Sequence, residues 1–198
     1  MTTVHPAVVA MPVSSTGPST STSSTPQRLL LVAAIATTLL IGLQSYRGGN
    51  SVIVTLALVG GLVVALSAAV IDARILRLPN RYVAGVALSA LVAAVSVDRV
   101  AAVSVAALLG ASPYLLLHLA RPTSLGFGDV KFAAALGGLV GSLSAGAVTV
   151  MLAAAFTLAA VIRWRRPQGA VALGPTIMAG ALIALAVAVS FQAAGLIS

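Results

Sequence analysis

The chain has 198 residues, of which 60% are hydrophobic and 7% are charged, and its formal net charge is +8. A soluble domain carries about 25% charged residues, so the composition excludes a soluble protein and predicts an integral membrane protein with one membrane domain. Because the sequence has no cysteine, disulfides, thiolate metal sites and cysteine nucleophiles are also excluded. Arginines that flank membrane spans explain the positive charge better than nucleic acid, which we do not expect as a partner.

The first 27 residues are rich in Ser, Thr and Pro and contain no Asp, Glu, Lys or Arg. Such a segment buries too little apolar surface to offset the conformational entropy lost on folding. We therefore expect a disordered tail at residues 1–27 and a transmembrane domain at residues 28–198.

Apolar runs in the rest of the chain predict an all-α, polytopic bundle of about six or seven transmembrane helices. The fifth run is short, and the small, polar patch Gly141–Ser144 predicts a turn between it and the sixth. A single helix from 129 to 162 would be about 51 Å long, well beyond the thickness of a bilayer. The predicted helices lie at residues 29–45, 51–71, 82–97, 100–120, 129–141, 144–162 and 174–196.

The basic residues predict the orientation of these helices. With a cytoplasmic N-terminus, nine basic residues flank the cytoplasmic ends and two, Arg47 and Arg99, flank the opposite ends. Cytoplasmic loops are enriched in Lys and Arg, so this bias favours a multi-pass protein of a bacterial-type plasma membrane with its N-terminus inside. The nine residues are Arg28, Arg74, Arg77, Arg81, Arg121, Lys131, Arg163, Arg165 and Arg166.

The sequence has only three acidic residues, Asp72, Asp98 and Asp129, and all three lie at the edges of apolar stretches. A carboxylate beside hydrocarbon is costly and therefore indicates a functional site. The predicted topology places Asp72 and Asp129 on the cytoplasmic side and Asp98 on the other. Two neighbouring carboxyl groups that share a proton can hydrolyse a peptide bond, one as the base towards water and the other as the donor to the carbonyl.

Helix dipoles suggest how such a pair divides these roles. Asp72 is predicted at the C-terminal end of a helix, where the dipole disfavours a second negative charge, and Asp129 at a helix N-terminus, where a carboxylate is favoured. We therefore expect Asp72 to hold the shared proton at rest. Gly126 and Gly128 would let the backbone approach a substrate strand closely. Taken alone, however, a G-x-G-D sequence is also typical of a helix N-cap after a flexible loop.

Three motifs together resemble the prepilin peptidase family, also called the type IV leader peptidases. The first is Asp72 with Leu78-Pro79-Asn80 after five intervening residues, the second is Gly126-Phe127-Gly128-Asp129-Val130-Lys131, and the third is Leu173-Gly174-Pro175. The resemblance covers roughly residues 55 to 185. Larger family members have a cysteine-containing cytoplasmic domain and also N-methylate the new terminus. This chain is similar to the short, peptidase-only form, and methylation is not expected.

The resemblance implies an aspartic endopeptidase that removes a leader peptide from type IV prepilin-like precursors, of the Flp-type or pseudopilin kind, at the cytoplasmic face. By the family pattern, the bond that is cut lies before the hydrophobic segment of the precursor. Membrane lipids are expected as further partners, and no metal or organic cofactor is expected. Asp72 and Asp129 would be the catalytic pair. Further residues would bind substrate or shape the site: Gly126, Gly128, Lys131, Pro79, Asn80, Gly174 and Pro175.

Two other functions fit parts of the sequence. A proton-coupled small transporter could use Asp72 and Asp129 as relay groups, although carriers place such groups near the bilayer midplane. A catalytically inactive, pilus-associated membrane protein could retain the same fold. His118 could tune the aspartate pair, or could simply be a packed or interfacial histidine.

Overall fold

A computed structural model describes residues 24–47, 50–122, 125–165 and 172–194, with only the backbone described for residues 24–30. Within these residues the chain forms seven α-helices and no β-strand, which confirms the predicted all-α class. The helices are α1 (Ser24–Arg47), α2 (Val52–Ile75), α3 (Asn80–Ser96), α4 (Val100–Ala120), α5 (Phe127–Gly141), α6 (Ala145–Arg165) and α7 (Leu173–Ala193).

Each predicted span corresponds to one of these helices, with ends that differ by a few residues. The largest difference is at α1, which begins at Ser24 and so includes the last residues of the tail predicted at 1–27. Residues 1–23, where the rest of that tail was predicted, lie outside the described part of the chain.

The predicted turn between the fifth and sixth helices is present. α5 ends at Gly141 and α6 begins at Ala145. The hydroxyl of Ser142 donates to the Leu139 carbonyl at 2.7 Å, which pairs one of the carbonyls that the end of a helix leaves free. The short polar patch therefore ends α5 by supplying its own hydrogen-bond donor.

Four helices of the described chain, α2, α4, α6 and α7, are long and apolar enough to cross a membrane. A shorter apolar stretch at Leu31–Arg47 of α1 and the whole of α3 are also apolar but have only 17 residues each. α5 has 15 residues and is about 22 Å long at 1.5 Å per residue, short of a hydrocarbon core of about 30 Å. The chain is therefore a helical membrane bundle in which α5 need not cross completely.

α5 lies at the centre of the bundle. Ten of its 15 residues are buried, and it packs against α3, α4, α6 and α7. Small residues bring α4 especially close: a β-carbon on Gly110 would lie 2.8 Å from the Ala133 carbonyl oxygen, and one on Gly137 would lie 2.9 Å from that of Ala106. Glycines at such crossings let membrane helices pack backbone to backbone, and here they fix the helix that carries Asp129.

The proline inside α4 is accommodated locally. Pro113 cannot donate to the Leu109 carbonyl, which lies one helical turn earlier. The hydroxyl of Ser112 donates to that carbonyl instead, at 3.0 Å. Such side-chain donors are how membrane helices tolerate proline, so α4 continues unbroken to Ala120.

The C-terminal end of α2 and the N-terminal ends of α5 and α7 meet at one end of the bundle, which we call the aspartate end. Asp72 of α2, Asp129 of α5 and Leu173 of α7 line a common pocket there. Asp98 lies in the turn between α3 and α4 at the opposite end and is exposed. Trp164, near the C-terminus of α6, is 85% exposed, in keeping with an interfacial tryptophan. Arg166, one of the nine basic residues predicted on the cytoplasmic side, lies outside the described residues.

Candidate active site

Asp72 occupies the last turn of α2 and is only 5% exposed. The helix stops at Ile75, because Leu76 adopts a left-handed conformation with φ of 52° and its N–H donates to the Asp72 carbonyl at 2.8 Å. A left-handed conformation costs a residue other than glycine about 1–2 kcal/mol. The turn sends the chain back across the aspartate end, so that Leu78 lines the same pocket as Asp72.

The buried carboxyl of Asp72 finds its partner at the start of α7. The N–H of Gly174 donates to Asp72 Oδ2 at 3.0 Å, across 102 positions of sequence. The first N–H groups of a helix have no partner within the helix, and Gly174 is the second residue of α7. A β-carbon at this position would lie 2.7 Å from Asp72 Oδ2. Glycine is therefore the residue that allows this approach.

Asp129 lies in the first turn of α5, as predicted, but it is not the N-cap. The N-cap is Gly126, and the backbone N–H of Asp129 donates to the Gly126 carbonyl at 3.1 Å. The carboxyl of Asp129 turns back towards Gly126, where a β-carbon would lie 3.5 Å from Asp129 Oδ2, and the backbone N–H of Gly126 stabilises its charged form, as in the reciprocal half of a capping box. A β-carbon on Gly128 would lie 3.4 Å from the Leu78 β-carbon. The glycine-rich turn thus contacts the connection that follows Asp72.

His118 holds the loop that precedes Asp129. Its Nδ1 lies 2.7 Å from the carbonyl oxygen of Leu125, and because a carbonyl can only accept, Nδ1 is the donor. The His118 ring also lies 5.5 Å, centre to centre, from the ring of Phe127. Lys131 Nζ lies 5.1 Å from the centre of that Phe127 ring, within the range of a cation–π contact. These contacts anchor the loop from α4 and from the first turn of α5.

The two aspartates share a pocket of about 420 Å³, which we call the aspartate pocket. They are close enough for their charges to repel each other, and no group of three or more metal-ligating side chains occurs in the described ranges. The pocket can therefore offer a ligand two interacting carboxyl groups. Its lining residues are Asp72, Leu76, Arg77, Leu78, Asn80, Gly126, Gly128, Asp129, Ala172 and Leu173.

The other residues that the motifs singled out fall in three places. Asn80, the first residue of α3, lines the aspartate pocket, whereas Pro79 is the N-cap of α3 and sets the direction in which that helix starts. Pro175 lies in the first turn of α7, where proline is tolerated because its missing N–H would have no helical partner. Lys131 does not line this pocket and instead lines a neighbouring cavity between α3, α4 and α5.

Two features of the site were not predicted from the sequence. No sequence pattern predicted the contact between His118 and Leu125, because the sequence shows only a histidine near the end of a predicted span. The expectation that Asp72 holds the resting proton considered only the dipole of α2, but the N-terminus of α7 adds a dipole end of opposite sign at the same carboxyl. The position of that proton stays a prediction.

The resemblance seen in the motifs is matched by a family comparison. Residues 56–163 match the model of the type IV leader peptidase family, a range that contains both aspartates and the glycine-rich turn and ends before Gly174. No curated protein and no solved structure matches the chain. The match covers more than half of the 198 residues, and it contains eight of the ten residues that line the aspartate pocket, so the chain belongs to the type IV leader peptidase family.

Proposed function

We propose that this membrane peptidase is an aspartic endopeptidase whose catalytic pair is Asp72 and Asp129. The observation that carries the proposal is that α2 and α5 bring these two carboxyls, 57 positions apart in the sequence, into one pocket where their charges interact. Peptide hydrolysis by carboxyl groups needs such a pair, because one must be ionised while the other holds a proton. Asp98, the remaining acid of the sequence, lies in a turn at the other end of the bundle.

In the proposed reaction the ionised carboxylate takes a proton from water, and the water oxygen attacks the scissile carbonyl carbon. The protonated carboxyl donates to the carbonyl oxygen, which forms a tetrahedral intermediate. The C–N bond then breaks as a proton passes to the leaving nitrogen, and the second product is a carboxylic acid. Following the expectation from the helix dipoles, Asp129 is the base and Asp72 is the donor.

The substrate proposed is a type IV prepilin-like precursor of the Flp-type or pseudopilin kind, which loses its leader at the cytoplasmic face. Orientation rests on the basic residues, since Arg74, Arg77, Arg81 and Arg121 lie at the aspartate end and Arg99 lies at the other. Such a bias favours a cytoplasmic aspartate end. The N-terminus would then also be cytoplasmic, in a multi-pass plasma-membrane protein.

The reaction proposed is leader cleavage alone. The sequence has no cysteine, which distinguishes it from the larger family members that also methylate. No organic cofactor or metal enters the proposed chemistry, because the two carboxyls supply both the base and the acid.

The test is leader removal from a prepilin-like precursor encoded beside this chain, in membranes that contain the wild type, Asp72→Asn or Asp129→Asn. Each substitution keeps the shape of the side chain and removes its ability to transfer a proton, so we expect the cleavage rate to fall by about 10²–10⁴-fold. Asp98→Asn is the matched control and should cleave at the wild-type rate. Cleavage that survives either of the first two substitutions would refute the dyad.

The wild-type result separates the remaining functions. A wild type that leaves every precursor of its own genome intact would favour the inactive protein. A wild type that conducts protons across liposomes, and loses this on Asp72→Asn, would favour the transporter. Leader cleavage that depends on both aspartates supports the peptidase.

A further inference from the structure

A second cavity, larger than the aspartate pocket, does not contain the aspartates. It has a volume of about 660 Å³ and lies between α3, α4 and α5. Alanine is the commonest lining residue, and we call this cavity the alanine groove. Positions that represent its three walls are Ala84 and Ala87 of α3, Ala107 of α4, and Ala134 and Gly138 of α5.

The groove exists because two neighbouring helices stand apart. α3 and α4 each pack closely on α5, but they touch one another only slightly. Their facing positions carry mostly small side chains, so the space between them stays open, and Ala84, Ala87 and Ser104 remain exposed along it. In a bilayer these exposed positions face the hydrocarbon. A surface of small residues is what lets a further helix approach a membrane helix closely.

The groove adjoins the aspartate pocket. Asn80 lines both cavities, and Lys131, two residues after Asp129, lines the groove at the same end. From Asn80 the groove follows α3 to Ala94, near the opposite end of that helix. These positions are 14 residues apart, which corresponds to about 21 Å along a helix. An elongated apolar ligand in the groove would therefore end beside the aspartates.

We propose that the alanine groove binds the apolar helix of the precursor that follows the scissile bond. This inference rests on the proposed function. The helix lies along α3 between α3 and α4, and the residues before it unwind past Asn80, so that an extended segment enters the aspartate pocket. The position of the groove beside the aspartate pocket, its length and its apolar, small-residue lining favour a helix over a compact ligand. The groove binds the helix and so determines which peptide bond reaches the aspartate pocket, where the bond is cleaved.

The experiment compares two substrates in the full chain reconstituted in nanodiscs. One is a complete prepilin-like precursor, and the other is a short peptide that spans its leader and cleavage site but lacks the apolar helix. Ala87→Phe fills the middle of the groove, while Ala153→Phe adds the same ring at an exposed alanine of α6 that does not line it. The readout is the ratio of kcat/KM for the precursor to kcat/KM for the peptide, which cancels any general loss of folded enzyme.

We expect Ala87→Phe to lower this ratio about tenfold, the effect of losing roughly 1.4 kcal/mol of binding free energy, and Ala153→Phe to leave it at the wild-type value. An unchanged ratio for Ala87→Phe would refute helix binding in the groove but would not contradict the proposed peptidase function. If the wild type cleaves neither substrate, the proposed function fails, and this inference fails with it.

A cross-link identifies the occupant directly. Leu91, an exposed residue that lines the groove, is replaced by p-benzoylphenylalanine in a chain that also carries Asp129→Asn, so that bound precursor is not consumed. Irradiation should join the benzophenone at position 91 to the apolar helix of the precursor. Adducts with lipid alone, in the presence of excess precursor, would show that the groove holds acyl chains and would overturn the proposal.

Discussion

Adding one methyl group at Gly174 should impair the chemistry without unfolding the protein. The β-carbon of Gly174→Ala would lie 2.7 Å from Asp72 Oδ2 and 3.2 Å from Asp72 Cγ. Ordinary van der Waals contact begins at 3.4 Å, so the carboxyl or the start of α7 must move by about 0.7 Å (3.4 minus 2.7). That movement also lengthens the 3.0 Å hydrogen bond from the Gly174 N–H.

Two physical effects determine how far kcat/KM falls in Gly174→Ala. A misplacement of about 1 Å at a reacting group can cost about 10²-fold in rate. Independently, a buried hydrogen-bond acceptor that loses its donor costs about 1–3 kcal/mol, which corresponds to roughly 5- to 150-fold. We therefore expect kcat/KM for precursor cleavage to fall by about 10- to 100-fold. The free energy of unfolding should change little, because alanine gains about 0.8–1.0 kcal/mol over glycine within a helix and so offsets part of the crowding.

Gly60→Ala is the matched control for this variant. Gly60 lies in α2, as Asp72 does, and a β-carbon there would meet nothing within 4 Å. It should retain wild-type cleavage and unfold at the same temperature or slightly higher. The measurements are precursor cleavage and thermal unfolding followed by circular dichroism. Full activity in Gly174→Ala would refute the argument from the Asp72 contact, and equal losses in both variants would show a general effect of replacing glycine.

Two further predictions concern the elements that position Asp129. Gly137→Ala would place a β-carbon 2.9 Å from the Ala106 carbonyl oxygen, so α4 and α5 must separate. We expect the free energy of unfolding, measured by denaturant titration in detergent, to fall by about 1–3 kcal/mol. An unchanged free energy of unfolding would contradict the close packing of the two helices. His118→Ala would leave the buried Leu125 carbonyl without its 2.7 Å donor, so kcat should fall with little change in KM. His118→Asn, whose amide can donate in the same direction, should recover most of that kcat, and a failure of this rescue would argue against the hydrogen bond.

The sequence predicted the helices well because the signal for a membrane span is strong and local. Each apolar run became one helix, and the polar patch at Gly141–Ser144 became the turn between α5 and α6. Asp72 and Asp129 were predicted at the ends of their helices, and both lie there. The distribution of basic residues predicted that Asp72 and Asp129 lie on the same side of the membrane, and their common pocket agrees with this prediction.

Contacts between distant segments could not be predicted in the same way. The hydrogen bond between Gly174 and Asp72 spans 102 positions, and no periodic pattern in either segment specifies it. Lys131 lies two residues after Asp129 and was predicted to bind substrate or shape the site around it. In the structure, however, Lys131 lines the alanine groove and Asp129 lines the aspartate pocket. Successive helical residues point in different directions, because residues two apart do not share a face. Side-chain direction and packing, rather than proximity in sequence, decide which residues form the site.

The way the aspartates are held explains how acidic groups persist at the edge of a hydrophobic bundle. A buried carboxyl needs hydrogen-bond donors, and this chain supplies backbone N–H groups from helix N-termini, at Gly174 for Asp72 and at Gly126 for Asp129. These donors carry only partial positive charge, so they stabilise the carboxyls without committing either one to a full ion pair. A lysine or arginine bound directly to one aspartate would hold it ionised and oppose proton sharing. Glycine at position 174 is what permits this arrangement, because a β-carbon there would lie 2.7 Å from Asp72 Oδ2.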